Sequence, residues 1–151
     1  MEMPLRQLAY TSHASFELSE AELLKILTVS RDCNKRDQVT GFLIYHEQRF
    51  FQVIEGPSEA IEALYLRLHQ DVRHHNLIKL LDRQISLRMF NLWNMAFKFL
   101  NHQDVTDFPM YSDYLLHCLS LADQPAPALV KSASLDDVEE LIAALKDRFV
   151  A

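Results

Sequence analysis

The first 100 residues alternate between short apolar segments with a period of two and two longer segments with spacings of three and four. This order restricts the fold more than any other feature of the chain, because the two periods are typical of half-buried strands and of amphipathic helices. The strands are predicted at Leu5–Ser12, Val39–His46, Arg49–Glu55, Leu77–Leu87 and Asn94–Leu100. The helices are predicted to begin at Ser19 and Ser58, and the second is predicted to end at His74.

The resulting order, β-α-β-β-α-β-β, predicts an α+β fold of the ferredoxin-like type with one additional strand. Each helix connects two strands that run parallel, and right-handed connections place both helices on the same face of the sheet. We therefore expect a ferredoxin-like βαββαββ sandwich with a five-stranded mixed sheet, two helices on one face and C-terminal helices on the other.

The chain changes character after Asn101. Residues 1–100 are predicted to form one domain and residues 101–151 a helical extension, with helices at about 109–120 and 135–149. The last segment has an amphipathic stripe and Ser134 as its N-cap. Because the helices of the domain cover only one face of the sheet, we expect the extension to pack on the other face.

Both predicted helices of the domain carry polar residues at positions that a helix with only a packing role does not require. The first begins with a capping box, Ser19 and Glu22. Its inward stripe starts apolar and ends polar: Leu23, Ile26, Leu27, Ser30 and Asn34. The second predicted helix has a polar stripe beside its apolar one: Arg67, Asp71 and His74. A solvated helix face with an ion pair is the alternative interpretation of that second stripe.

Composition excludes several classes of function. The formal net charge of −6 argues against direct binding of nucleic acid, which usually needs a basic face. The spacing of Cys33 and Cys118 matches no metal or redox motif, and the adjacent pair His74 and His75 has no second ligand cluster, so we expect no metal site. The chain has no signal peptide and no apolar run long enough to cross a membrane, so a cytoplasmic protein is expected.

Gln52 is the most informative polar residue, because it lies inside an apolar strand, Phe50–Ile54. A buried amide without partners costs about 1–3 kcal/mol, so Gln52 needs hydrogen bonds. Tyr10 occupies a similar position in the first strand, and the two side chains can hydrogen-bond on the helix-covered face if the strands are neighbours. A satisfied buried network that only fixes the strand register explains these residues equally well.

Six motifs in the same order resemble a BLUF domain, the sensor of blue light using FAD. They cover residues 3 to about 100: Tyr10 within LAYTS, Ser30–Asn34, Val39–Gly41, Phe50–Gly56, Asp71–His75, and Arg88 through Trp93, Asn94 and Met95. The chain departs from the family pattern at Cys33, where a polar residue or histidine is common, and at Ala96, where glycine is common. Cys33 would alter ring contacts or the lifetime of the light state rather than remove the photochemistry.

The resemblance implies a cofactor and a role for each site residue. FAD, with FMN or riboflavin as alternatives, would lie between the two helices. Tyr10 would donate an electron to the excited flavin, and Gln52 would bridge Tyr10 and the flavin edge. Trp93 and Met95 would compete for the place beside Gln52. The residues implied to bind the cofactor are Tyr10, Ile26, Ser30, Asn34, Gln52, Arg67, Asp71, Arg73, His74 and Met95.

The resemblance also implies a photoreceptor that is not an enzyme. The part of the chain after residue 100 is too short for a cyclase or phosphodiesterase domain, so the output is expected through a separate protein partner or a homo-oligomer. Two alternatives stay open: a small phosphatase or flavin oxidoreductase on the same scaffold, and a dimerisation module without a chromophore. Thr11–Ala14 contains no glycine, which counts against a phosphate-cradling loop after the first strand.

Overall fold

The structure is a computed structural model, and it describes residues 4–90, 94–99, 119, 139 and 142–143. Its strands and helices follow the predicted order. They are β1 (Leu5–Ala14), α1 (Glu20–Asp37), β2 (Thr40–His46), β3 (Arg49–Pro57), α2 (Ser58–Gln70), β4 (His74–Ile85) and β5 (Asn94–Phe99).

Within the described residues the strands form one five-stranded mixed sheet in the order β4-β1-β3-β2-β5. β1 pairs antiparallel with both β3 and β4, β2 pairs antiparallel with β3, and β5 joins the far edge parallel to β2. This arrangement confirms the predicted ferredoxin-like βαββαββ topology. Consequently β1 and β3, the strands that carry Tyr10 and Gln52, are neighbours at the centre of the sheet.

α1 has the N-terminus that the sequence predicts. The Ser19 side chain accepts a hydrogen bond from the backbone N–H of Glu22 at 3.1 Å, and the Glu22 carboxylate accepts one from the backbone N–H of Ser19 at 3.4 Å. The helix ends at Asp37, and the next residue, Gln38, caps it with a left-handed backbone that has a φ of 61°. These caps satisfy backbone groups that a helix end leaves unpaired, so they fix both ends of α1.

The predicted end of α2 is wrong, because the helix stops at Gln70 rather than His74. Asp71 has an extended backbone, and its side chain accepts a hydrogen bond from the backbone N–H of Arg73 at 3.0 Å, which closes a turn. His74 then begins β4 and pairs with Ala14 of β1. The predicted stripe of Arg67, Asp71 and His74 on one helix therefore does not exist. Val72, which the predicted helix would have included, lies beyond the helix end and is 84% exposed.

The two faces of the sheet carry separate apolar cores. Leu8 and Ile54 face the helices and pack with Leu27 and Ile61. Alternate residues of the same strands face the other side, where the cluster also includes Leu119 and Ile142. The C-terminal part of the chain thus covers the face opposite the helices at both of these positions. The division into domains 1–100 and 101–151 stays a prediction, because most of 109–120 and 135–149 lies outside the described residues.

Among the residues that the structure describes, no helix combines the length and the apolar character that crossing a membrane requires.

Candidate functional site

A cleft opens between α1, the start of β4 and the helix-covered face of the sheet. Its cavity volume is about 90 Å³, and the cleft is partly open to solvent. Its walls are mostly apolar, with polar groups at the sheet and near the turn after α2. The lining residues are Tyr10, Leu18, Leu23, Ile26, Leu27, Ser30, Leu43, Phe50, Gln52, Leu68, Asp71, Arg73, His74 and Met95.

Tyr10 and Gln52 lie at the sheet side of this cleft and are directly opposite each other in the β1–β3 pairing. The Tyr10 hydroxyl donates a short hydrogen bond to the Oε1 atom of Gln52, as predicted from the sequence. Both side chains are almost fully buried, with exposed fractions of 3% and 8%. Burial raises the pKa of the Tyr10 phenol, so the hydroxyl keeps its proton and acts as the donor in this pair.

The amide nitrogen of Gln52 donates to the sulfur of Met95 at 3.3 Å. A thioether is a weak acceptor, so this side of the amide is held less firmly than the side that faces Tyr10. We refer to Tyr10, Gln52 and Met95 as the cleft cluster. Its polar core consists of a phenol, an amide and a thioether, and no member carries a formal charge.

Met95 reaches Gln52 because β5 is irregular at this position. The β2–β5 pairing passes from Gly41 opposite Asn94 to Phe42 opposite Ala96, so Met95 is an extra residue in a β-bulge. Its φ of 138° lies in a region that side chains rarely adopt. The Arg31 guanidinium of α1 donates to the Met95 carbonyl at 3.0 Å and so ties the bulge to the helix.

The polar end of the cleft is formed by the turn after α2. The Arg73 guanidinium binds the Asp71 carboxylate, with Nε–Oδ1 at 2.9 Å, and this hydrogen bond lowers the pKa of Asp71. The two ring nitrogens of His74 lie 2.8 Å from the Ser12 hydroxyl and 2.6 Å from the Leu68 carbonyl. Burial lowers the pKa of His74, which favours a neutral ring with one nitrogen as donor.

The structure brings together most of the residues predicted to bind a cofactor. Eight of the ten line the cleft: Tyr10, Ile26, Ser30, Gln52, Asp71, Arg73, His74 and Met95. Asn34 is buried but is not among the lining residues. Arg67 is also absent from the lining, because its half-exposed side chain lies 3.6 Å from the Asp37 carboxylate. Trp93 lies outside the described residues.

The apolar wall of the cleft was not predicted, although the apolar stripe of α1 and the alternation of the strands indicate its residues. Leu23 and Leu27 share the α1 stripe with Ile26, and Leu43 lies opposite Gln52 in the β2–β3 pairing. Phe50 precedes Gln52 by two residues and therefore shares its face of β3. Because side chains alternate between the two faces of a strand, a site residue at Gln52 also predicts Phe50 as its neighbour on the same face. Pairing of β2 with β3 then adds Leu43.

The cleft fits the chemistry of a flavin. An isoalloxazine ring has apolar faces and a hydrogen-bonding edge, and the cleft offers leucine and isoleucine walls with the Gln52 amide at its sheet side. The ribityl and phosphate groups need polar and cationic partners, which Arg73 and His74 provide near the mouth.

Comparison with known families gives an independent result. The family model described as "BLUF: Sensors of blue-light using FAD" matches residues 5–96. The matched segment contains β1 to β4 and the start of β5, and it includes every residue of the cleft cluster.

Individual relatives agree with this match. The chain is 31% identical over 86 residues to the blue light- and temperature-regulated antirepressor BluF of Escherichia coli, and 33% identical over 83 residues to the photoactivated adenylate cyclase subunit alpha of Euglena gracilis. These alignments cover 57% and 55% of the chain but only 21% and 8% of the relatives, so the chain spans a small part of each. The dark-state structure of BlrB, a BLUF protein, matches with a TM-score of 0.75 at 23% identity over 99% of this chain and 100% of that one, and at this identity the likeness concerns the fold.

Proposed function

Because the chain belongs to the BLUF family of sensors of blue light using FAD, we propose that it is a photoreceptor in which a flavin in the cleft drives a rearrangement of the Gln52 hydrogen bonds. The single observation that supports this proposal most directly is the geometry of Gln52. Its amide lies between the Tyr10 hydroxyl and the Met95 sulfur at the inner wall of a cleft that fits a flavin.

The apolar wall and the turn after α2 have separate roles in binding. Ile26 and the leucines of α1 would pack on the faces of the ring, and Ser30 would contribute a hydroxyl near it. Asp71, Arg73 and His74 would hold the ribityl and phosphate groups at the polar end. Asn34 and Arg67 would take part only after their side chains turn towards the cleft. FAD is the flavin named by the family, and FMN or riboflavin can use the same ring contacts.

A bound flavin supplies absorption of blue light and, once excited, an acceptor for one electron. Tyr10 lines the cleft as an oxidisable donor, and its phenol gives up an electron more easily if the proton leaves at the same time. Gln52 Oε1 already accepts the hydroxyl hydrogen bond, so it receives that proton as the charge moves. After the electron and a proton return to Tyr10, the Gln52 amide would be left rotated if its oxygen returned the proton, or rotated and in the imidic-acid form if its nitrogen returned the proton.

The amide can hold two arrangements because its partners differ in strength. The Tyr10 hydroxyl can donate or accept, so it can satisfy either end of the Gln52 amide. The Met95 sulfur is a weak partner, and losing it costs little. Both arrangements therefore keep a hydrogen bond between the Gln52 amide and Tyr10.

We propose that the output is a change in a protein–protein contact and that no substrate is converted. The relative from Escherichia coli supports an output of this kind, since it is a blue light- and temperature-regulated antirepressor. Rearrangement of Met95 would alter the β2–β5 edge of the sheet, and a partner protein or a second copy of the chain would respond there.

An absorption spectrum of the purified protein in the dark, under blue light and during recovery tests the proposal. We expect flavin bands that move slightly to the red in light and return in the dark. Gln52→Leu should bind flavin but lose the red shift. Gln84→Leu replaces a glutamine of β4 that does not line the cleft, and it should keep the shift. A normal shift in Gln52→Leu would contradict the proposed switch, and bands that bleach would indicate redox turnover instead.

A further inference from the structure

Glu55, at the end of β3, is fully buried on the sheet face opposite the cleft. Its carboxylate accepts four hydrogen bonds, two on each oxygen. Oε1 accepts from the Thr40 hydroxyl at 3.1 Å and from the backbone N–H of Phe90 at 2.6 Å. Oε2 accepts from the Gln7 amide at 3.3 Å and from the backbone N–H of Met89 at 3.0 Å. All four partners are donors, so the position is built for an acceptor that donates nothing.

Two of these donors belong to the connection between β4 and β5. Arg88, in the same connection, donates through Nη1 to the Thr40 hydroxyl at 2.9 Å and to the Glu55 carbonyl at 3.2 Å. Three successive residues of the connection are therefore attached to Glu55 and its cross-strand partner. We refer to Gln7, Thr40, Glu55 and the three residues 88–90 as the anchor cluster.

The anchor cluster lies next to the point where β5 joins the sheet. Thr40 is the partner of Glu55 in the β2–β3 pairing, and the following residue, Gly41, pairs with Asn94 at the start of β5. Met95 follows in the bulge and places its sulfur against Gln52. The Phe90 ring also stacks on Phe42, with centroids 6.1 Å apart. The chain is thus fixed immediately before the strand that completes the cleft cluster.

We propose that Glu55 is a positioning residue that, from the opposite face of the sheet, sets where Met95 lies relative to Gln52 and so sets the rate of dark recovery. The effect on recovery rests on the proposed function, whereas the effect on Met95 does not. Loosening the connection makes the dark-state position of Met95 less populated. Recovery must return Met95 to that position, so it slows.

Glu55→Gln separates this role from a general contribution to stability. The amide keeps the size of the side chain but places an NH₂ group where one oxygen accepts two donors, so at least one backbone N–H of the connection loses its acceptor. Val53→Ala is the matched control, because Val53 is also fully buried on the same face of β3 but makes only apolar contacts there. It removes packing and leaves the hydrogen bonds of the anchor cluster in place.

Three measurements on the flavin-loaded chain are compared between wild type and both variants: amide hydrogen exchange at Met89 and Phe90, the ¹³C-methyl resonance of Met95, and the dark-recovery rate. The Met95 resonance is assigned with Met95→Leu. In Glu55→Gln we expect faster exchange, a displaced Met95 resonance and recovery slowed by about threefold or more, the size expected from one lost hydrogen bond. In Val53→Ala we expect all three to stay near wild type.

An unchanged Met95 resonance in Glu55→Gln would overturn the proposal, and so would recovery that is unchanged or faster. Equal displacement and slowing in Val53→Ala would also overturn it, because the effect would then follow stability alone. Exchange and methyl resonance need no light response. If the wild type shows no red shift, the proposed function fails, while the Met95 resonance in Glu55→Gln still decides whether Glu55 positions β5.

Discussion

The two faces of the central strands carry two buried polar clusters that are built in opposite ways. On the helix-covered face the cleft cluster holds one amide between a hydroxyl and a thioether, beside open volume. On the other face the anchor cluster holds one carboxylate with four donors in a closed core. Gln52 and Glu55 are only three residues apart in β3, so they point to opposite faces and belong to different environments.

The difference shows how one strand can combine a rigid anchor with a movable switch. An amide has both a donor and an acceptor end, and partners that can reverse roles permit two arrangements of similar free energy. A carboxylate surrounded by donors has one arrangement, because any rotation exchanges equivalent oxygens and any withdrawal leaves buried donors unpaired. In the proposed mechanism, the anchor cluster would keep the frame of the sheet constant while the cleft cluster rearranges.

The largest expected effect is on the free energy of unfolding, and it would sharpen the contrast between the anchor cluster and the cleft cluster. Glu55→Ala leaves two backbone N–H groups and two side-chain donors without their acceptor, at about 1–3 kcal/mol for each that water cannot reach. We expect the free energy of unfolding to fall by about 3–5 kcal/mol. Gln52→Ala should cost about 1 kcal/mol, because Tyr10 faces a cleft that admits water. Chemical denaturation of both variants without added flavin measures the pair, and similar losses would show that the two clusters do not differ in rigidity.

The next prediction tests whether the proposed hydrogen-bond switch lies on the cleft face of the sheet. Tyr10→Phe removes the hydroxyl that donates to Gln52, and we expect flavin to stay bound while the red-shifted product is lost. Tyr45→Phe is the matched control, since Tyr45 is equally buried, does not line the cleft, and has a hydroxyl that accepts from the backbone N–H of Leu18 at 3.2 Å rather than from Gln52. Light-minus-dark spectra compare the two. A full red shift in Tyr10→Phe would mean that the donor lies elsewhere.

The smallest expected effect is a pH dependence that only the cleft face should show. Burial lowers the pKa of His74 below its usual value near 6.5, so between that value and the folded pKa the unfolded chain binds more protons. Stability therefore falls as the pH drops below about 6.5, with a slope under about 1.4 kcal/mol per pH unit. His74→Gln should flatten this part of the curve in urea titrations from pH 7.5 to 5. Parallel curves for wild type and variant would assign the dependence to other groups.

Several features of the fold could be predicted because the signals are local. The alternation in β1 and β3 and the capping box of α1 identified these elements, and the order of strands and helices then made β1 and β3 neighbours. The Tyr10–Gln52 hydrogen bond followed from that neighbourhood. The end of α2 could not be found in the same way, because the apolar spacing continues to Val72. The Asp71 turn and the pairing of His74 with β1 stop the helix.

The anchor cluster could not be predicted from the sequence, for a different reason. Glu55 looked like the polar end of an apolar strand, a position where a carboxylate is usually solvated. Its burial depends on donors from β1, β2 and the β4–β5 connection, 15 to 48 residues away along the chain. The sequence of β3 alone contains no pattern that predicts these donors.

The sequence by itself determined which segments are helices and strands, their order and hence the central pairing of Tyr10 with Gln52, because period, caps and connection handedness depend on short stretches of chain. Only the tertiary structure decided where α2 ends, that Met95 enters the site through a bulge, and that Glu55 is enclosed. These outcomes depend on which hydrogen-bond partners distant strands bring together, since a buried polar group adopts the geometry in which its donors and acceptors are satisfied.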